Sequence, residues 1–200
     1  MMNDPRVYMN LAGPPFPYTE KVWEEFFPIA QKSPGEALAE WKDIEKFRNE
    51  AAEAGEEEVK RWMGRVPVES LREIDPETKE QKYIGSISIR KTAFLGIKDK
   101  AERERLVAEN ESRKAGDPLI YWEIGCKLAT SGAGWVGNLL FNMFTGFLAP
   151  AAHGRGIMPL ALRTLIHEFL VPHMNVQHLL GTYFDHNSAS KRVSIMHDTK

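Results

Sequence analysis

The chain has 200 residues, 42% of them apolar and 27% charged, with a formal net charge of −2. That balance suits one soluble globular domain with a sizeable core, and it argues against a basic face built for a nucleic-acid polyanion. Cys126 is the single cysteine, which excludes an internal disulfide and fits a reducing compartment; as a lone thiol it reads as buried and inert.

The opening residues lack a basic stretch followed by an apolar core, so no signal peptide is expected. The most apolar run, 138–152, is broken by Asn142, Thr145 and Gly146 and falls short of the ~20 residues of a spanning helix. The expectation is a cytoplasmic protein, with no membrane and no nucleic acid as partner. Thr19 is placed to cap a helix carrying Val22, Trp23, Phe26 and Phe27 at helical spacing. Residues 33–62 continue as a charged helical stretch with a narrow apolar stripe of Leu38, Trp41, Ile44 and Phe47, interrupted at Gly55. The run Glu56, Glu57, Glu58 reads as a solvated face rather than a metal site.

The period then changes. Residues 66–74 read as a strand, 75–78 as a turn around Pro76, and 82–91 as a second strand, giving an antiparallel hairpin. Residues 98–116 are charged, helical and exposed; 118–129 form a third strand; 178–184 form another; the following residues open a last helix. This order predicts a mixed α/β domain with a central sheet.

Two glycine motifs invite a chemical reading. GAGWVG (132–137) satisfies the dinucleotide pattern, but no acidic residue lies between Gly137 and Glu168 to hold a ribose, and Trp135 is large for a turn that must hug a pyrophosphate. A flexible glycine loop is the plainer reading, with a dinucleotide-dependent oxidoreductase as the alternative. HGRGIM (153–158) is followed by Pro159 and by an apolar helix face of Ile157, Met158, Ala161, Leu162, Leu165, Ile166 and Phe169. A helix entered this way presents free N–H groups and the positive end of its dipole, a ready phosphate site, with His153 and Arg155 at the rim; a simple strand-to-helix turn would carry the same glycines.

The run LAPAAHGRG into that helix, a strand, and then HNSAS with Asn187, Ser190 and Val193 in the pattern N-x-x-S-x-x-V resembles the GNAT superfamily of acetyl-CoA-dependent N-acetyltransferases. Within it the chain is most similar to the ribosomal-protein N-acetyltransferase-like branch. YIGSISI (83–89) resembles that family's central strand, and PPFPYT (14–19) its proline-rich lead-in. The resemblance implies a mostly antiparallel central sheet flanked by helices, in one domain spanning 1–200, with a helical insertion near 33–62. It implies acetyl-CoA as co-substrate and a primary amine of a small molecule or protein as acceptor. By this resemblance His153, Gly154, Arg155, Gly156, Ile157 and Met158 would hold the pyrophosphate, and Phe147, Leu148 and Ala149 would bond the pantetheine arm through their backbone. Asn187 and Ser190 would touch the cofactor from the last helix.

The reaction needs a base for the amine and a proton for the departing thiolate. Glu123 is the candidate base, against the plain alternative of a surface carboxylate on a strand. Tyr183 is the candidate acid, against that of a core tyrosine. His167, His173 and His178 share no metal-ligand spacing.

The chain departs from the family in three ways. It carries no first strand before residue 7, no closing strands after the Asn187 motif, and an atypical insertion at 126–146; Ala151 also replaces the usual Gln or Arg at the head of the loop. Cys126–Lys127 and Val193–Ser194 can both be encoded across GTAAG, a common intron start, so 126–146 and 193–200 are expected to be translated intron. An incomplete member would bind acetyl-CoA without turnover, and its unpaired sheet edges would favour a dimer.

Overall fold

The computed structural model describes residues 1–11, 16–55, 60–125 and 146–195. Helix α1 (Pro5–Tyr8) is a single turn capped by Asp4, so the N-terminal residues supply a helical turn rather than a strand. Helix α2 (Glu20–Ala54) starts where the Thr19 hydroxyl accepts the Val22 N–H, and it runs unbroken past Pro28 and Pro34. It ends eight residues before the predicted limit at 62. Gly55 adopts φ 70°, the left-handed cap that closes a helix, so Gly55 terminates the element rather than interrupting it. The chain beyond then packs instead of coiling: Met63 is 1% exposed, with its N–H on the His173 carbonyl.

Strand β1 (Ser70–Ile74) and strand β2 (Gln81–Ser86) form the expected antiparallel hairpin around a turn in which the Asp75 carboxylate accepts the Glu77 and Thr78 amides. Strand β3 (Ile89–Lys91) follows after two residues. Asp99 caps helix α3 (Lys100–Ser112), whose surface is charged and mostly exposed as predicted, with Arg103, Leu106 and Val107 half-buried and Asn110 at 2% exposure. The Asn110 amide donates to the Tyr121 carbonyl and accepts the Tyr121 N–H, pinning the helix to the start of strand β4 (Tyr121–Gly125). Strand β5 (Phe147–Leu148), helix α4 (Ile157–Leu165), a π-helical turn at Ile166–Leu170, helix α5 (Val171–Met174), strand β6 (His178–Thr182) and helix α6 (Ser188–Ile195) complete the order. The dinucleotide-like motif 132–137, Cys126 and the tail beyond Ile195 lie outside the described residues.

The architecture is mixed α/β. The strands form two three-stranded ladders, β1-β2-β5 and β3-β4-β6; three of the four pairings are antiparallel, and β4 runs parallel to β6. A core of Ala37 and Ile44 from α2, Ile87, Trp122, and Leu162 and Leu165 from α4 joins the helices to the sheet. Burial of such side chains at about 25 cal/mol per Å² is the main force holding these layers together. Among the described residues, no helix is long and apolar enough to cross a membrane.

Candidate functional site at the glycine turn

The turn is built by three local choices. Pro150–Ala152 form a 3-10 turn, with the Ala152 and His153 amides on the Ala149 and Pro150 carbonyls. Gly154 and Gly156 then take φ 71° and 70°, a conformation that costs an L-residue ~1–2 kcal/mol and a glycine almost nothing. A Cβ on either glycine would meet nothing within 4 Å, so the backbone angle, not crowding by the protein, demands glycine here. From Ile157 the apolar face foreseen in the sequence seats α4: Leu162 and Leu165 are buried, with Met158, Ile166 and Phe169 packed on the same core.

The result is a run of five successive N–H groups, at Gly154, Arg155, Gly156, Ile157 and Met158, with no acceptor among the described residues. They gather at the positive end of a helix that has no side-chain cap. An anion is the natural partner for such a set.

The strand feeding the turn has one edge that no described strand covers. The Ala149 N–H bonds the Ile84 carbonyl on β2, so by strand alternation the Leu148 N–H and carbonyl point away from β2. Strand β6 pairs with β4 only as far as Gly125 and Thr182, and among the described residues no strand covers the outer edge of β5. Among the described residues the sheet is therefore open beside Leu148. There the His153 ring, 2.9 Å away, takes up the Leu148 carbonyl.

The other predicted residues have definite and sometimes unexpected partners. Arg155 is not a free rim charge: its guanidinium forms a two-point ion pair with Glu73 on β1, which lowers the Glu73 carboxyl below the usual range through hydrogen bonding and charge. Glu123 is no surface carboxylate. It is 1% exposed, accepting the Thr182 hydroxyl at 2.7 Å on one oxygen and, on the other, the Thr92 hydroxyl at 3.1 Å and the Ala93 N–H at 3.4 Å. Both oxygens of this buried side chain therefore have hydrogen-bond partners.

Asn187 caps α6, its side-chain oxygen accepting the Ser190 N–H at 3.0 Å. Both residues are half-buried, as is Tyr183, which follows Thr182 at the end of β6. Val193 on α6 and Met158 on α4 pack on one core, so both motif helices share a foundation.

Sequence reasoning missed Glu73, Thr92, Thr182 and Asn110. None sits in a motif. Each acts through a partner between 11 and 82 residues away, which local pattern does not carry. No protein-family model, curated protein or solved structure matches this chain.

Proposed function

We propose that this chain belongs with the acetyl-CoA-dependent N-acetyltransferases, transferring an acetyl group from the thioester to a primary amine of a small molecule or protein. The observation that carries the reading is the run of five amides at 154–158 that have no acceptor among the described residues, entered from a strand with one edge that no described strand covers. A pyrophosphate suits the amides. The pantetheine arm suits the Leu148 edge once the His153 ring gives up the Leu148 carbonyl.

The reaction forms a bond from the amine nitrogen to the acetyl carbon and breaks that carbon's bond to sulfur. The nitrogen loses a proton and the thiolate gains one. In this reading Tyr183 supplies the proton to sulfur. Glu123 acts as base only through the Thr182 hydroxyl, because its own oxygens are buried and already accept three donors.

That engagement of Glu123 also favours a second reading, in which the chain binds acetyl-CoA without turnover. Thermal unfolding with acetyl-CoA, and with NAD as control, tests both. A ligand at ~100 times its Kd adds ~2.7 kcal/mol, several degrees for a domain of this size. A shift with acetyl-CoA alone, lost in Gly156→Val, supports the site; transfer to an amine separates enzyme from binder. A folded chain indifferent to acetyl-CoA refutes both.

A further inference from the structure

Strands β4 and β5 are separated by 21 residues in the sequence, yet both lie along one edge of the same extended segment, 81–91. Hydrogen-bond parity establishes the shared edge. The Ile87 N–H turns toward Glu69, on the β1 side. The Ile84 carbonyl and the Thr92 N–H, at even-numbered positions, turn the other way and meet Ala149 and Tyr121.

The registers agree as well. Strand β3 pairs Ile89 with Ile124, Arg90 with Glu123 and Lys91 with Trp122. Carried on without interruption, that register would place residue 127 opposite Ser86 and residue 128 opposite Gly85. The residues found there are Phe147 and Leu148, each twenty positions later. Gly146 fits the same series: a Cβ built on it would lie 3.8 Å from the Ile87 Cα. The extrapolated pairs are then Ser88 with Gly125 and Ile87 with Gly146, adjacent rungs of one ladder.

We propose that Gly125 and Gly146 are consecutive positions of a single β-strand, and that residues 126–145 are an in-frame insert translated from an unspliced intron. The boundary therefore falls after Thr145, one residue earlier than the sequence expectation of 146. The coding constraints agree with it. Cys126–Lys127 can be written TGT-AAG, with the donor GTAAG after the first nucleotide. Thr145–Gly146 can be written ACA-GGN, with the acceptor ACAG ending after the first nucleotide of the glycine codon. Excision preserves the reading frame, and the joined codon encodes cysteine (TGT or TGC) or tryptophan (TGG), TGA being a stop. Gly146 has no left-handed φ and no contact closer than 3.6 Å to a built Cβ, so the backbone there does not demand glycine. This inference does not rest on the acetyltransferase reading.

The test compares the full chain with two deletions by thermal unfolding and far-UV circular dichroism. Removing 126–145 joins Gly125 to Gly146 in register. Removing 126–144 leaves one extra residue, which sends Phe147 and Leu148 to the wrong faces of the sheet. The in-register deletion is expected to unfold cooperatively at a temperature equal to or above that of the full chain, with the slipped deletion several degrees lower. An in-register deletion less stable than the full chain, or a slipped one equal to it, overturns the single strand. Transcript reads give a readout that does not depend on folding: reads joining the Gly125 codon through TGN to the Phe147 codon support the insert, and continuous coverage of 126–145 in all mature transcripts overturns its origin. Acetyl-CoA binding in neither form would count against the proposed function and leave the strand inference standing.

Discussion

Arg155, between the two left-handed glycines of the turn, reaches back to Glu73 on β1, 82 residues earlier in the chain. The pair ties the β1–β2 hairpin to the entrance of α4. Both side chains are nearly half exposed, so solvent screens the attraction. Glu73→Gln is expected to lower Tm slightly at low salt and not measurably at 0.5 M salt. The Glu73 carboxyl lies below its usual range when folded, so its contribution is present above the unfolded value of 4.5 and is lost as pH falls through the folded one. A salt-independent loss of several degrees would show that the pair does more than a surface contact can.

The glycine turn gives a second expectation. Gly156→Ala forces an L-residue to φ 70° and should destabilise by about 1–2 kcal/mol. Gly35 has equal open space and lies within α2, so Gly35→Ala is expected to be neutral or stabilising. Denaturant midpoints for the two variants make the comparison. Similar losses at both sites would contradict the backbone explanation.

Replacing Glu123 tests a buried carboxylate with three donors. Glu123→Ala leaves the Thr92 and Thr182 hydroxyls and the Ala93 amide without their acceptor, at about 1–3 kcal/mol for each group that stays dry. Thr182→Ser keeps the donor and should match the parent in stability, whereas Thr182→Val should fold with a lower Tm. If acetyl transfer is detected, the relay predicts that Thr182→Val reduces kcat with little effect on KM for acetyl-CoA.

Asn110 offers a sharper stability test, because its amide meets both polar groups of one backbone residue. Asn110→Leu strands the Tyr121 N–H, while the Tyr121 carbonyl keeps the Thr92 N–H, and should cost about 1–3 kcal/mol, read from urea unfolding. A loss below about 0.5 kcal/mol would mean that water serves Tyr121 equally well.

Glu69 should make the protein less stable as pH rises. Burial pushes its carboxyl up, with Arg90 opposing in part. A carboxyl raised in the folded state contributes stability below its unfolded value of 4.5, and that contribution is lost as pH rises through the folded one. Glu69→Gln is therefore expected to raise Tm at pH 7 and to flatten the pH dependence just above 4.5. An unchanged profile would contradict that burial.

The residues alone determined much of the local structure, because those decisions involve neighbours in sequence. The Thr19 cap, the β1–β2 hairpin, the Asp99-capped α3 and the apolar face of α4 follow from spacing and capping chemistry. Gly55 was legible as a break; its left-handed angle makes it an end. The pattern HGRG announced a turn able to hold left-handed backbone, and the turn stands where it was expected, before Ile157.

What the tertiary structure decided is everything that joins distant segments. Glu123 reads in sequence as a candidate base or an exposed strand carboxylate, and only the convergence of β3, β4 and β6 buries it among Thr92, Ala93 and Thr182. Arg155 reads as a free cation until β1 places Glu73 beside it. Above all, the pairing of Ile124 and of Phe147 with one continuous edge is a matter of register. The sequence marked 126–146 as an insertion, but backbone hydrogen bonds set the register, and only they place Ile124 opposite Ile89 and Phe147 opposite Ser86.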